Sequence, residues 1–207
     1  MLAVLTTLFV FSIALASYPR LGDGWFWEIG NALGFVALAG LLIVTLNGRA
    51  SMGNSPNHRL LGLFTVSVVL AHIIWFLIGD PLTIEYLKFG TPPHMVFAIL
   101  SIALLMLLSV SSLSTFRDKS FYTRQKFRAW HRWLSLCITL SAIAHITLSG
   151  FYLSEPAQWL LLLVVVTLLY VLTFTKLPRY SISKVVTLSS FTLALLCFVL
   201  LRYGVAL

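Results

Sequence analysis

Long apolar runs are the feature that most constrains the fold of this chain. Seven can be drawn, over residues 2–17, 25–46, 56–79, 93–114, 130–153, 156–176 and 183–203. Most approach the length of about 20 residues that a helix needs to cross the hydrocarbon core of a bilayer. Hydrophobic residues make up 59% of the chain and charged residues only 10%, which excludes an ordinary soluble domain. The sequence therefore predicts an all-α, polytopic membrane helix bundle with six to seven transmembrane helices.

The charges of the loops predict how this bundle is oriented. Eleven of the fourteen lysines and arginines follow the second, fourth and sixth runs, whereas five of the six acidic residues lie on the opposite side. Because short cytoplasmic loops collect positive charge, the N-terminus is expected inside and the C-terminus outside. The net charge of +8 is explained by these loops, so no nucleic-acid partner is expected. The partner of the apolar surface is the lipid bilayer.

Four of the five histidines form two pairs with the same spacing. His58 and His72 lie in the third run, His131 and His145 lie in the fifth, and fourteen residues separate the members of each pair. Fourteen residues turn a helix through about 1400°, about 40° short of four full turns, so both members point to nearly the same side. They are separated by about 21 Å along the helix axis. Each run therefore offers one imidazole near a membrane face and another past the middle of the bilayer.

The predicted orientation makes the third and fifth runs parallel, because both begin at the cytoplasmic side. His58 is then expected at the level of His131, and His72 at the level of His145. Ionisable residues in membrane spans are costly and often mark a function, and axial histidines are common ligands of haem iron. The sequence thus predicts two b-type haems held between the third and fifth helices, one in an inner site and one in an outer site.

Residues near the inner pair fit this prediction. Gly62 and Ser135 each follow a histidine by four residues, on the ligand face, where a haem plane needs clearance. Arg59, Arg128 and Arg132 are placed to meet anionic propionates, and they fit the ordinary enrichment of positive charge at cytoplasmic ends equally well. In the second run, Gly30-xxx-Gly34 and Gly40 permit close contact between helices.

Other functions have weaker support in the sequence. A buried histidine often only hydrogen-bonds a neighbouring helix, so a haem-free membrane scaffold or assembly protein is the alternative. His94 starts the fourth run after Pro92-Pro93 and is expected to be a solvated helix-start residue rather than a metal or propionate contact. The chain has two cysteines, no CxxC spacing and no phosphate-binding loop, which argues against a disulfide framework, a zinc site and a nucleotide site.

Paired histidines on two parallel spans resemble the ferric-reductase-like transmembrane domain. That family includes NADPH oxidases, ferric-chelate reductases, metalloreductases and the haem subunit of the bacterial methionine-sulfoxide reductase system. The segment from Arg59 to Leu63, which reads Arg-Leu-Leu-Gly-Leu and is followed by His72, is most similar to the bacterial haem subunit, as is Trp130-His131 after a basic loop. The resemblance implies four haem ligands, which are His58, His72, His131 and His145.

The resemblance covers residues 25–176, so we expect a haem-binding core there, flanked by single transmembrane helices at 1–24 and 177–207. It implies a ferric-reductase-like oxidoreductase, or its haem-bearing subunit, in a bacterial inner membrane. A cytoplasmic flavoprotein reductase or a quinol would be the electron donor. Ferric iron, oxygen or a partner reductase outside would be the acceptor.

Two departures from the family refine this expectation. Most oxidases and ferric reductases of the family continue into a flavin- and NADPH-binding domain, whereas this chain stops at Leu207, so flavin is expected only on a partner. The bacterial haem subunit tends to have arginine where this chain has His58, and a histidine there points to a second haem, as in the oxidases.

Overall fold

The described part of the chain is built from helices alone. The computed structural model describes residues 2–15, 24–50, 56–88, 90–113, 123–153, 155–174 and 184–205, and no strand occurs among them. The helices are α1 (Leu2–Leu15), α2 (Gly24–Ala50), α3 (Pro56–Gly79), α4 (Pro81–Glu85), α5 (Pro93–Ser111), α6 (Arg124–Ser149), α7 (Pro156–Phe174) and α8 (Lys184–Val205). The predicted all-α class is confirmed, and the short α4 is added between the third and fourth predicted runs.

Four helices are long and apolar enough to cross a membrane. The segments concerned lie in α2, α3, α5 and α6, at Gly24–Leu46, Asn57–Gly79, Pro93–Ser111 and Gln125–Ser149. Large apolar side chains cover their outer surfaces, and Ile78, for example, is 81% exposed. So much exposed apolar surface suits a lipid environment, and the chain is an integral membrane protein by this criterion. The apolar parts of α7 and α8 and the 14-residue α1 are shorter, so the count of six to seven spans stays a prediction.

The ends of α6 differ from those of the predicted fifth run. The helix begins at Arg124, six residues earlier than predicted, because the Thr123 hydroxyl accepts a hydrogen bond from the Lys126 backbone N–H at 3.3 Å. It ends at Ser149, four residues earlier than predicted, where Gly150 adopts a left-handed backbone with φ of 66°. Part of the basic segment expected in a loop is therefore helical. The prolines at 93 and 156 begin α5 and α7 as the sequence predicts.

Helix α2 lies at the centre of the bundle and packs against α1, α3, α6, α7 and α8. Its glycines allow α3 to approach closely, in the way that the GxxxG spacing predicts. A Cβ atom added at Gly40 would lie 2.6 Å from the Thr65 hydroxyl oxygen, and one added at Gly30 would lie 2.5 Å from the Phe76 ring. These two contacts also show that α2 and α3 are antiparallel.

Helices α5 and α6 form a second antiparallel pair. The Ser101 hydroxyl on α5 donates to the Ile138 carbonyl on α6 at 3.3 Å, in the middle of both helices. The start of α5 lies beside the end of α6, where His145 contacts the His94 carbonyl. The α2–α3 and α5–α6 pairs are each closely packed, whereas α3 and α6 are not a closely packed pair among the described residues. Helices α3 and α6 thus lie on either side of a boundary that is packed less closely than the α2–α3 or the α5–α6 contact.

A carboxylate that the sequence analysis counted only as an outer-side charge lies inside the bundle. Glu28 is part of α2, within a candidate span, and is 6% exposed. It accepts a hydrogen bond from the hydroxyl of Tyr152, itself 4% exposed, at 2.9 Å. A buried acid requires such a donor, because an unsatisfied buried polar group is costly. The contact ties the segment after α6 to the start of α2.

We expect the Tyr152→Phe variant to lower the free energy of unfolding by about 1–3 kcal/mol, because Glu28 then loses a buried hydrogen-bond donor. The measurement is reversible unfolding of the detergent-purified protein. Tyr86→Phe is the matched control, since that side chain is exposed and its hydroxyl makes no hydrogen bond within the described residues. Equal effects of the two substitutions would contradict the stabilising role of the Glu28 contact.

Candidate cofactor-binding site

The structure brings the two histidines of the predicted inner pair together. His58, in the first turn of α3, and His131, in the second turn of α6, have ring centres 6.0 Å apart and ring planes at 56°. An imidazole nitrogen lies about 2 Å from a bound metal and the ring centre about 1.2 Å further, so two axial rings are centred roughly 6.3 Å apart. The inner pair therefore has nearly the separation that two ligands of one iron require.

Helix α5 orients the ring of His131. Its Nδ1 atom lies 3.4 Å from the Ser112 hydroxyl oxygen, and that hydroxyl donates its own hydrogen to the Leu108 carbonyl at 2.7 Å. Because the hydroxyl proton is already used, the oxygen is free to accept the Nδ1 proton of His131. The arrangement favours the tautomer that leaves a lone pair on Nε2, the atom that would bind a metal.

The two histidines of the predicted outer pair are fixed in the same way, but by backbone carbonyls. His72 Nδ1 donates to the Gly30 carbonyl on α2 at 2.7 Å, and His145 Nδ1 donates to the His94 carbonyl on α5 at 2.9 Å. A carbonyl can only accept, so both Nδ1 atoms carry the proton and both Nε2 atoms carry the lone pair. Metal-binding histidines are typically held by such a hydrogen bond on the nitrogen that does not bind the metal.

The outer pair is less closely apposed than the inner pair. His72 and His145 lie near enough to interact electrostatically, but their rings make no ring contact of the kind that joins His58 to His131. The ring nearest to His145 is instead that of His94, at 6.1 Å and 32°. His94 lies at the start of α5, is half-buried and also contacts Tyr86.

The space beside Gly62, one turn after His58 in α3, is open. A Cβ atom added at Gly62, one turn after His58, would meet nothing within 4 Å. Within the described part of the chain, the Nε2 atoms of His72, His131 and His145 make no hydrogen bond, whereas the His58 ring lies within reach of the Val44 backbone. The clearance that the sequence predicts at Gly62 is present in the structure.

Other predicted site residues have different surroundings. Ser135 does not merely leave clearance, because its hydroxyl oxygen lies 3.0 Å from those of Thr45 and Tyr170, and Tyr170 in turn contacts Thr139 at 2.9 Å. This hydroxyl cluster links α2, α6 and α7. The predicted propionate partners Arg59, Arg128 and Arg132 are exposed at the same end of the bundle as the inner pair, and Arg132 Nε donates to the Arg128 carbonyl at 3.2 Å.

The described residues do not include the ligand cluster of a typical metal-ion site. Across the described residues, no group of three or more His, Cys, Asp or Glu side chains is placed to hold a metal ion. Haem needs only one or two protein ligands, because the porphyrin supplies four nitrogens. Two facing imidazoles alone are fewer than the three or four protein ligands of a typical metal-ion site.

Several residues that support the site were missed by the sequence analysis. The carbonyls of Gly30 and His94 and the Ser112 hydroxyl hold the ligand rings, and Gly34 lets the His72 ring approach α2. A Cβ atom at Gly34 would lie 3.0 Å from His72 Cε1. The GxxxG spacing of Gly30 and Gly34 predicted close packing of helices. It did not predict that these two glycines orient the ring of His72.

Comparisons with protein-family models, with curated proteins and with solved structures find no match to this chain. The resemblance to the ferric-reductase-like domain therefore rests on its sequence features alone.

Proposed function

We propose that this chain is a haem-bearing subunit of a transmembrane electron-transfer system. Electrons would come from a cytoplasmic flavoprotein reductase or a quinol, and would leave to an extracytoplasmic acceptor such as ferric iron, oxygen or a partner reductase. The observation that carries the proposal is the arrangement of the histidines at the boundary between α3 and α6. The inner rings are 6.0 Å apart, and three of the four Nδ1 atoms face an acceptor on a neighbouring helix.

Each part of the chain has a role in this proposal. His58 and His131 would hold an inner b-type haem, and His72 and His145 an outer one, about 21 Å along the helices from the first. Haem supplies one-electron redox chemistry when bound. Helices α2 and α5 act as supports, because they present the acceptors that orient the ligand rings. The surrounding apolar side chains exclude water and lower the local dielectric constant.

The finer topology belongs to the same proposal. With α1, α7 and α8 also crossing the bilayer, the bundle would have six to seven spans, with the N-terminus in the cytoplasm. The inner site would then lie at the cytoplasmic face of a bacterial inner membrane. Arg59, Arg128 and Arg132, which are exposed near that site, are suited to haem propionates or to anionic groups of a donor.

The test of the proposal is the haem content of the purified chain. We expect the dithionite-reduced protein to show b-type absorption bands and the pyridine haemochrome assay to give about two haems per chain. A folded, haem-free protein expressed with ample haem would overturn the proposal. It would favour the alternative of a membrane scaffold, because the hydrogen bonds from His72 to α2 and from His145 to α5 also tie helices together without any cofactor.

We expect docking of an acidic cytoplasmic donor to depend on the cationic start of α6. Lys126→Gln should lower the rate of reduction by a flavoprotein donor severalfold at low salt, since Lys126 is exposed and would lie at the inner face. High ionic strength should reduce the difference between variant and wild type, because salt screens exposed charges. Stopped-flow reduction measured at several salt concentrations checks this.

Lys88→Gln is the matched control for Lys126→Gln. Lys88 is also exposed, but it follows α3 at the opposite end of the bundle and is paired with Glu85 at 2.7 Å. Its replacement should leave donor-driven reduction unchanged. A reduction rate that is insensitive both to salt and to Lys126→Gln would contradict electrostatic docking at this surface.

A further inference from the structure

The segment that joins α3 to α5 carries large apolar side chains that the protein leaves exposed. It contains the short helix α4, none of whose residues is buried. Leu82, Ile84 and Leu87 are 61%, 49% and 52% exposed, although all three lie outside the candidate spans. A cluster of exposed large apolar side chains usually marks contact with another apolar phase. The segment therefore calls for a partner that covers these side chains.

The polar groups of this segment are paired with one another. Asp80 Oδ1 accepts a hydrogen bond from the Leu82 backbone N–H at 3.1 Å, and Asp80 Oδ2 accepts one from the Thr83 hydroxyl at 2.9 Å. The Lys88 ammonium group donates to both carboxylate oxygens of Glu85 at 2.7 Å. The backbone N–H groups of the three residues after α4 donate to carbonyls of α4 itself. Such internal pairing is the main requirement for a segment that lies in lipid, where water does not satisfy polar groups.

The distribution of the apolar side chains favours lipid over a protein as the partner. Leu82 and Ile84 project to opposite sides of α4, since two residues turn a helix through about 200°. A protein docked on so short a helix would cover one side, whereas lipid surrounds the segment. The apolar surface also continues onto the lipid-facing surface of α3, where Ile74 is 51% and Ile78 is 81% exposed.

Tyr86 and the ion pair of Lys88 with Glu85 place the segment at the membrane interface rather than in the hydrocarbon core. The two charged side chains are 63% and 58% exposed, and charges deep in the core are costly. Tyrosine is enriched at the interface, because its ring is apolar and its hydroxyl is polar. The Tyr86 hydroxyl makes no hydrogen bond within the described residues, so it is available to lipid headgroups.

We infer that the segment from Asp80 to Lys88 is an in-plane membrane anchor, which binds the phospholipid of the leaflet where α3 ends and α5 begins. The anchor joins the helix that carries His72 to the helix whose His94 carbonyl holds His145. It therefore sets the depth of this end of both helices. The inference requires no cofactor, so it stands or falls separately from the proposed function.

Spin labels on the full-length chain in phosphatidylcholine vesicles test this inference. The native cysteines, Cys137 and Cys197, are both exposed and are first replaced by serine. A nitroxide is then attached to Leu82→Cys, Ile84→Cys or Leu87→Cys. Its relaxation by oxygen, which concentrates in lipid, is compared with its relaxation by a water-soluble nickel chelate. We expect oxygen to be severalfold more effective than the chelate at all three positions.

Two further positions calibrate the measurement. Ile74→Cys lies on the exposed surface of a candidate span and should report lipid. Lys126→Cys should report water, because Lys126 is exposed and lies about 35 Å along α6 from Ser149, at about 1.5 Å per residue. That length exceeds the hydrocarbon thickness of about 30 Å.

Either of two results would contradict the anchor. A label at position 82 or 84 that the nickel chelate relaxes as strongly as the label at Lys126→Cys would place the segment in water. A label at either position that is shielded from both reagents would show that protein covers it, as a second copy of the chain or another partner would do. Relaxation dominated by oxygen at both positions, as at Ile74→Cys, supports the anchor.

Discussion

Replacing His145 with alanine is expected to lower the haem content from about two to about one per chain, with the b-type absorption bands falling in proportion. The reason is that no other described side chain of α6 at that level offers a ring nitrogen to the iron while its other ring nitrogen is held by a carbonyl, as His145 Nδ1 is held by the His94 carbonyl. His72→Ala should remove the same haem. His58→Ala and His131→Ala should both remove the other one, so that the four variants fall into two classes. The pyridine haemochrome assay and reduced spectra of the purified variants provide the measurement.

The control for this series is His94→Ala. Its ring is the nearest one to His145, yet the group that holds His145 is the His94 backbone carbonyl, which the substitution leaves in place. We therefore expect His94→Ala to keep both haems. If it loses as much haem as His145→Ala, then His94 is a ligand of the outer site and the predicted pairing of His72 with His145 is wrong. A double variant, His131→Ala with His145→Ala, should bind none.

Much of the fold could be predicted because it depends on properties of short stretches of sequence. Apolar length decides which segments can lie in a bilayer, and prolines set the starts of α5 and α7. The ends of α6 could not be predicted from the apolar pattern, because a capping hydrogen bond from Thr123 and a left-handed glycine at 150 decide them. Lys126, Arg128 and Arg132 tolerate a helix because they are exposed.

The candidate site could be predicted only in part. The fourteen-residue spacing and the loop charges predicted that α3 and α6 run in the same direction and that His58 meets His131, and the structure has both features. The partners of the ring nitrogens could not be predicted, because Gly30, His94 and Ser112 lie on helices whose facing surfaces follow from packing. The hydrogen bonds of Ser135 with Thr45 and Tyr170 could not be predicted either, because they also depend on which helices pack against α6.

The supporting contacts follow a common plan. On each of the two antiparallel pairs, the partner of the histidine-bearing helix presents an acceptor to the back of a histidine ring, and the ring then directs Nε2 away from that partner. On α2 the acceptor is the Gly30 carbonyl, and on α5 the acceptors are the Ser112 hydroxyl and the His94 carbonyl.

Gly62→Leu should remove the inner haem while leaving the helix bundle intact. A Cβ atom at this position meets nothing within 4 Å, so the larger side chain would begin in open space one turn from His58. Leucine also favours a helix over glycine by roughly 0.5–1 kcal/mol, which should slightly stabilise α3 in the haem-free protein. We expect about one haem per chain in the haemochrome assay, with an unfolding temperature of the haem-free form equal to or above that of the wild type.

The comparison with Gly40→Leu separates this effect from a general defect in packing. At Gly40 an added Cβ atom would lie 2.6 Å from the Thr65 hydroxyl, so the larger side chain must push α3 away from α2. That variant should lose stability and haem together, because overpacking a close helix contact commonly costs about 1–3 kcal/mol. Gly62→Leu should lose haem alone. Should Gly62→Leu retain two haems with unchanged spectra, no flat group can occupy the space beside His58, and the inner site would have to be placed elsewhere.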